Sequence, residues 1–218
     1  PDAFLVGEVW DSTAVIGPYL DHALNAAFNF DLAGKLISAA DAERAQDIGF
    51  TLSRIYEFYA RSANGSRGVA DAVFLSNHDQ NRVMTALRGN VDHARMAAAM
   101  LLTLPGNAFV YYGEELGMAG AKPDEHIREP FPWHREPGGE GETTWMAPRH
   151  RGDGSVSVEA AEADERSLLH HYRELIRWRS EEPALREGSI GSYDSGNPAV
   201  MSYVRASGDR VRLVVHNL

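Results

Sequence analysis

The sequence predicts an α/β fold in which four β-α units form half of an eight-stranded β/α barrel and antiparallel strands follow. Three observations lead to this prediction. Apolar, β-prone runs start near residues 3, 27, 72 and 107, and helical patterns lie between them. Such alternation is typical of parallel strands joined by right-handed crossovers, and a complete barrel of eight units typically needs about 250 residues. From residue 189 onward the β-prone segments lie close together, which predicts antiparallel pairing.

The first two predicted units occupy residues 3–63. Residues 3–9 form an apolar run, residues 11–25 mix loop and short helix, and residues 27–30 predict the second strand. A long helix is predicted from residue 41 to about residue 63, where the dipeptide Asn64-Gly65 should end it. One apolar stripe of this helix recurs at helical spacing and consists of Ile48, Leu52, Ile55 and Tyr59.

The third and fourth units follow. Residues 72–77 predict the third strand, and Asp92 is expected to cap a helix that reaches Leu104. Residues 107–113 predict the fourth strand. A flavodoxin-like sheet is the structural alternative to half a barrel. The sequence contains neither GxGxxG nor GxxxxGK after any strand, which disfavours that alternative.

A long Gly- and Pro-rich stretch occupies residues 114–161. Loops of that length are usually functional or disordered. This one carries Phe131, Trp133 and Trp145, which favours a functional loop. The two tryptophans could stack on sugar rings, or they could be scattered surface aromatics.

The C-terminal part of the chain is predicted to be a helix and a hairpin. The helix runs from Asp164 to Arg179, and the hairpin strands lie at residues 199–204 and 211–215 around a turn at residues 207–209. We therefore divide the chain into residues 1–188, the barrel part, and residues 189–218, the beginning of a β-domain.

Composition excludes several classes of function. The chain has 218 residues, 44% of them apolar, and a net charge of −10 without basic runs. Such a chain is a poor candidate for binding nucleic acid or anionic membranes, so we expect neither as a partner. There is no Cys, which excludes disulfides, thiolate metal sites and cysteine nucleophiles. No apolar run approaches the roughly 18 residues of a membrane span.

Two acidic side chains stand at predicted strand ends. Glu8 follows the first strand and Asp79 follows the third, so both are expected to face one cavity at the carboxyl edge of the sheet. Paired carboxylates in one cavity indicate glycoside hydrolysis. Apolar neighbours such as Trp10 should favour the protonated form of Glu8, whereas polar neighbours should keep Asp79 charged. The alternatives are an exposed acid at a loop start for Glu8, and a helix cap over residues 80–88 for Asp79.

Other reactive residues give weaker signals. His78 could be a buried, hydrogen-bonded histidine or a donor to a substrate hydroxyl. It lacks partners at the spacing of metal ligands, and His170 and His171 point to different faces of a helix, so a metal site is disfavoured. A Ser-His-Asp triad stays open, but no GxSxG elbow is present.

Four segments resemble one known family in the right order along the chain. Phe-Leu-Ser-Asn-His-Asp at residues 74–79, followed by Arg82, resembles the seventh-strand motif of the α-amylase superfamily, glycoside hydrolase family 13. Gly-Glu-Val-Trp at residues 7–10 resembles its fifth-strand motif. Residues 107–115 resemble its eighth strand, and residues 127–133 resemble the Arg-x-Pro-x-x-Trp loop of its oligosaccharide-cleaving members. The implied fold class is α/β, a partial (β/α)8 TIM barrel equivalent to strands five to eight, followed by the start of an antiparallel β-domain.

The resemblance implies a role for each matching residue. Glu8 would be the general acid/base, and Asp79 would bind sugar hydroxyls and stabilise the oxocarbenium-like transition state. His78 would help to hold the same sugar. The remaining expected substrate contacts are Arg82, Trp10, Arg128 and Trp133.

The chain departs from the family pattern in one respect that bears on activity. The family nucleophile is an Asp in a Gly-x-Arg-x-Asp motif at the end of strand four, and this motif is absent. We therefore expect a longer parent enzyme that cleaves α-glucans or malto-oligosaccharides with retention, and an inactive fragment. The calcium loop of the family would also lie upstream, so no metal and no cofactor are expected in this chain.

Three further expectations remain open. The parent could be a transglycosylase of the same family, either trehalose-forming or sucrose-using. It could also be a non-catalytic carbohydrate-binding or interaction protein on the same barrel. Since the two outer strands of a half barrel would be open edges, we expect self-association through them.

Overall fold

The computed structural model describes residues 3–20, 23–45, 47–62 and 70–218. It contains a parallel and an antiparallel sheet with helices packed around them. The strands are β1 (Val6–Gly7), β2 (Ala26–Phe28), β3 (Ala70–Val73), β4 (Asn107–Ala108), β5 (Ser189–Ser192), β6 (Val200–Ser207) and β7 (Arg210–Asn217). The helices are α1 (Thr13–Leu20), α2 (Phe30–Ala42), α3 (Ile48–Ser62), α4 (Val83–Ala86), α5 (Val91–Thr103), α6 (Asp124–Ile127), α7 (Val158–Glu162), α8 (Leu168–Glu181) and α9 (Pro183–Arg186), and a 3-10 turn spans Glu114–Leu116.

The four-stranded sheet is parallel, and its strand order follows the chain, β1-β2-β3-β4. In a flavodoxin-like sheet the order of the strands reverses at a switch point. In a β/α barrel each strand lies next to the one that follows it along the chain. The predicted positions of all four strands are confirmed, but the ladders are shorter than the apolar runs. In the third run, Phe74 and Leu75 are 1% exposed although they lie beyond β3, because they are buried by packing and not by strand pairing.

The prediction of one helix at residues 41–63 is wrong, since α2 ends at Ala42 and α3 begins at Ile48. Two helices replace it, because Glu43 adopts a left-handed conformation with φ 52° and its N–H bonds to the Ala39 carbonyl, which ends α2. Asn29 caps the start of α2 by accepting a hydrogen bond from the Leu32 N–H at 3.0 Å. The apolar stripe on α3 is confirmed, since Ile48, Leu52 and Tyr59 are at most 3% exposed. The predicted stop at residues 64–65 lies outside the described residues.

The starts of two predicted helices differ from the prediction. Asn90, and not Asp92, caps α5, and its side-chain oxygen accepts from the N–H groups of Asp92 and His93 at 3.0 and 3.1 Å. The helix predicted from Asp164 begins later, at Leu168, with Ser167 as its cap. In both cases more than one residue near the helix start can accept a backbone N–H, so composition alone leaves the choice to tertiary contacts.

The antiparallel sheet has the order β5-β6-β7, and the predicted hairpin is confirmed as β6 and β7. The sheet packs directly on the helices, because Met201 and Tyr203 of β6 belong to the same buried apolar cluster as Leu36 of α2 and Leu101 of α5. Arg205 of β6 has a fully buried side chain.

The Arg205 guanidinium joins the sheet to the rest of the chain. It donates hydrogen bonds at 2.5–3.2 Å to the carbonyl oxygens of Thr103, Leu185, Gly188 and Ser189. Its charge is therefore satisfied by backbone dipoles, and it connects the end of α5, the α9 turn and β5.

None of the helices in the described part of the chain is long and apolar enough to cross a membrane.

Candidate active site

The carboxylate of Asp79 lies in the loop after β3, between two basic side chains. Its Oδ1 accepts a hydrogen bond from Arg128 Nη2 at 2.7 Å, and its Oδ2 lies 3.4 Å from His78 Nε2. Asn77 fixes the loop by accepting the Asp79 N–H at 2.9 Å. The Asp79 side chain is 37% exposed, so the carboxylate is oriented and still open to a ligand. Asp79 does not cap a helix, because Arg82 occupies the N-cap position of α4.

Arg128 connects three parts of this region. Its Nε donates to the His78 carbonyl at 2.9 Å, and its Nη2 also donates to Asp124 Oδ2 at 2.8 Å. Asp124 opens α6, so this short helix and the loop after β3 are joined through one guanidinium. An arginine bonded to carboxylates on two elements fixes their relative position better than a single-point contact would.

Glu8 comes directly after β1 and is exposed. The apolar enclosure expected from its neighbours is not present, since Phe4, Leu5 and Trp10 are themselves 50–64% exposed. The reason is that β1 is an edge strand. Since β1 and β3 are parallel strands of one sheet, Glu8 and Asp79 both follow the carboxyl ends of their strands, at the same end of the sheet.

Trp10 contributes a flat apolar surface next to Glu8. Its ring stacks on Phe30 at 4.3 Å with an interplanar angle of 13°, and Phe30 packs edge-on against buried Phe74 at 5.0 Å. The outer face of the indole remains exposed. Such a supported ring can carry a sugar face without having to be ordered first.

Arg82 is not placed as a substrate contact, which corrects the sequence-based expectation. Its side chain is fully buried, and its guanidinium carbon lies 4.6 Å from the Tyr111 ring centre and 4.7 Å from that of Tyr112. A sugar in a surface cavity could not reach it. The sequence shows a charged residue after a polar motif, and nothing in that pattern distinguishes a buried arginine from an exposed one.

The long loop at residues 114–161 is ordered by buried acids. Glu129 is 1% exposed and accepts hydrogen bonds from the N–H groups of Arg149 and His150 at 3.0 and 3.3 Å. Glu142 forms a buried ion pair with Arg151. Trp133 and Trp145 stay 48% and 61% exposed on this loop. The loop is therefore ordered by buried contacts and exposes both rings, and the function predicted for it stays a prediction.

Glu114 is a buried acid whose importance the sequence did not reveal. It is 5% exposed, and the Ser76 hydroxyl donates to its Oε1 at 2.6 Å. Burial raises its pKa to about 8, although the bond from Ser76 and the charge of Arg82 act in the opposite direction. In the sequence Glu114 stands out only as part of the eighth-strand motif, and that motif does not indicate whether its side chain is buried.

Replacement of Glu114 by glutamine is expected to flatten the pH dependence of stability between pH 6.5 and 8. Because the folded-state pKa is raised from 4.5 to about 8, the wild type is stabilised by the bound proton and loses this contribution as pH rises through about 8. Asp71, with a pKa raised by burial to about 6, and His216, with a pKa lowered by burial to about 4, titrate below this window. Urea unfolding at four pH values measures the slope.

The control for this prediction is Glu174→Gln, because Glu174 is exposed on α8. It should leave the slope unchanged. A Glu114→Gln variant whose unfolding free energy falls as steeply with pH as that of the wild type would contradict the assignment.

No group of three or more His, Asp or Glu side chains that could hold a metal ion occurs within residues 3–20, 23–45, 47–62 and 70–218.

Comparison with known proteins gives a consistent picture. Residues 1–188 match the family model for the alpha amylase catalytic domain. Alpha-amylase 3 of Dictyoglomus thermophilum is 39% identical over 223 residues, which covers 100% of this chain and 43% of the relative. The crystal structure of alpha-amylase from H. orenii superposes with a TM-score of 0.91 at 42% identity and covers 99% of this chain and 43% of that one.

A transferase is also among the relatives. The 4-alpha-glucanotransferase of Thermotoga maritima is 39% identical over 113 residues, which is 50% of this chain and 26% of the relative. The chain thus spans less than half the length of each of these three proteins.

Proposed function

Because the chain belongs to the family of alpha amylase catalytic domains, we propose that it is part of a retaining α-glucoside hydrolase that acts on α-glucans or malto-oligosaccharides. In this proposal β1–β4 correspond to strands five to eight of a (β/α)8 TIM barrel, and residues 189–218 begin a C-terminal β-sandwich domain. The longer protein that supplies the other strands is called the full-length enzyme below. The observation that carries the proposal is Asp79, oriented by Arg128 and His78 at the same sheet edge as Glu8.

The two carboxyl groups would divide the work. Glu8 would protonate the leaving glycosidic oxygen and then take a proton from the attacking water, as the acid/base of a retaining mechanism does. Asp79 would bind the hydroxyls of the same sugar and stabilise the developing positive charge of the oxocarbenium-like transition state. His78 would help to hold this sugar, and Trp10 and Trp133 would offer ring faces to the sugar chain.

A retaining mechanism also needs a nucleophilic carboxylate about 5–5.5 Å from the acid/base. The sequence has no Gly-x-Arg-x-Asp motif to supply it. The exposure of Glu8, directly after edge strand β1, supports the proposal that the nucleophile lies on other strands of the full-length enzyme. Strands that pair with β1 would enclose Glu8 and bring the nucleophile to it.

The proposal predicts that the 218-residue chain alone will not turn over a nitrophenyl α-glucoside, whereas the full-length enzyme will. Without a nucleophile the covalent glycosyl intermediate cannot form, so the fragment should be indistinguishable from buffer. Release of nitrophenol by both proteins at equal concentration is the measurement. Turnover by the pure fragment that disappears in its Glu8→Gln variant would contradict the proposal.

A second candidate is a transglycosylase on the same site, and the similarity to a 4-alpha-glucanotransferase over half of the chain supports it. The two activities share the glycosyl intermediate and differ in whether water or a sugar hydroxyl attacks it. Product analysis of the full-length enzyme on maltotriose separates them. Glucose and maltose without longer products indicate hydrolysis, whereas oligosaccharides longer than maltotriose indicate transfer.

The isolated chain is expected to self-associate. The strands β1 and β4 are the two edges of the parallel sheet, and Phe4 and Leu5 beside β1 and Phe109 and Val110 after β4 are 36–53% exposed. Light scattering should give a mass above 24.0 kDa that falls on dilution. Leu5→Glu should lower the mass, and Ile176→Glu, on the exposed face of α8, should not. A monodisperse 24.0 kDa monomer would refute this expectation.

A further inference from the structure

Buried Arg82 and the partly exposed rings of Tyr111 and Tyr112 form a contact group next to the loop that carries Asp79, which we call the arginine–tyrosine platform. The Arg82 guanidinium lies over both tyrosine rings, and its Nη1 donates to the Tyr112 carbonyl at 2.7 Å. The backbone N–H of Arg82 donates to the Gly120 carbonyl at 2.9 Å. Because cation–π contacts strengthen when they are removed from water, the buried arginine fixes the orientation of both rings.

The two tyrosine hydroxyls reach the backbone on either side of Arg128. Tyr111 Oη donates to the Ile127 carbonyl at 3.0 Å, and Tyr112 Oη donates to the Glu129 carbonyl at 2.7 Å. The segment at residues 127–129 is therefore held at both ends by rings that rest on one guanidinium. Glu129 is buried and bonded in turn to the loop at residues 149–150, so the far end of the segment cannot readily shift.

The Arg128 side chain extends from the segment at residues 127–129 to the loop that carries Asp79. It bonds the His78 carbonyl and the Asp79 carboxylate at 2.9 and 2.7 Å. A continuous series of contacts thus runs from Arg82 through the tyrosines and Arg128 to Asp79. Each contact in this series is a hydrogen bond or a contact between the guanidinium and a ring. Arg82, at the start of the series, is fully buried.

We propose that Arg82 is a positioning residue, which sets the place of the Asp79 carboxylate through Tyr111, Tyr112 and Arg128 and never touches substrate. This inference rests on the proposed function, because it assigns Asp79 to the transition state. Since a displacement of about 1 Å at a catalytic group can cost about 100-fold in rate, loss of the platform should reduce kcat. Substrate affinity depends on many other contacts, so KM should change less than kcat.

The test is a double-mutant cycle in the full-length enzyme with maltotriose as substrate. Tyr112→Phe removes one hydroxyl and keeps the ring under Arg82, so it avoids the risk that Arg82→Met does not fold. Tyr112→Phe is expected to lower kcat about 5- to 50-fold, which lies within the coupling found between members of one hydrogen-bonded network. In the background of Arg128→Ala, the same Tyr112→Phe change should lower kcat by less than about twofold, because the intermediary is already missing.

Tyr193→Phe serves as the matched control, since Tyr193 is exposed directly after β5 and its replacement should change neither kcat nor KM. Equal losses from Tyr112→Phe with and without Arg128 would show a merely structural role and overturn the inference, and so would an unchanged kcat in the single variant. A wild-type enzyme that neither hydrolyses nor transfers maltotriose would instead overturn the proposed function, and this inference with it.

Discussion

Replacement of Glu8 by glutamine in the full-length enzyme is expected to reduce the cleavage of malto-oligosaccharides by about 10²–10⁴-fold, the usual contribution of a general acid. The amide keeps the size of the side chain and cannot give up a proton to the glycosidic oxygen. The leaving sugar would have to depart as an alkoxide. The loss should appear in kcat/KM measured by the release of reducing ends.

A substrate that needs no protonation tests the assigned role. The fluoride of α-glucosyl fluoride leaves without a full proton transfer, so the first chemical step should survive in Glu8→Gln. The loss in kcat/KM, which reports the steps up to the glycosyl intermediate, should therefore be much smaller than with a sugar leaving group. Glu165→Gln, at an exposed site before α8, is the control for charge removal. Equal losses on both substrates would exclude Glu8 as the acid, and full activity of the variant on maltotriose would remove it from the site.

Replacement of Arg205 by methionine is expected to destabilise the folded protein by at least 3–4 kcal/mol, the largest stability effect that the structure predicts. Methionine fills much of the volume but donates no hydrogen bonds. Four carbonyl oxygens would lose this donor: the bonds to Thr103, Leu185 and Gly188 are buried, and the bond to Ser189 is partly buried. A buried acceptor left unsatisfied costs about 1–3 kcal/mol, and partial relaxation or water entry should reduce the sum.

The measurement is urea unfolding followed by circular dichroism, with Arg210→Met as the matched control. Arg210 lies on β7 and is exposed, so its replacement should change stability by less than about 0.5 kcal/mol. Equal unfolding midpoints for the two variants would show that the bonds of Arg205 to the carbonyl groups contribute little.

The sequence predicted the arrangement of the parallel strands well, because apolar β-prone runs and the helical patterns between them report burial directly. The same reasoning placed α3 by its stripe of Ile48, Leu52 and Tyr59. It failed at residues 41–47, where the break between α2 and α3 depends on a left-handed Glu43. Such a residue is uncommon at positive φ, and no Gly or Pro marks the place.

The candidate site was predicted unevenly for a related reason. Asp79 and His78 belong to a polar cluster that follows an apolar strand, and this pattern can be recognised in the sequence. Whether a charged side chain points outward or inward depends on distant segments, and so Arg82 and Glu114 could not be placed. Both are buried against parts of the chain about 30–40 residues away, at Tyr112 and Ser76.

The shared core of β6 and the helices has a consequence for how this region can change in evolution. Tyr203, Met201 and Arg205 are enclosed by residues that precede residue 189, so a match of the family model that ends at residue 188 does not mark a mechanically independent module. If the sheet β5-β6-β7 were replaced by that of a distant relative, new side chains would pack against the unchanged surface of the helices. Such hybrids should be viable only when donor and recipient place an arginine opposite the same carbonyl groups, and the two parts should therefore diversify together.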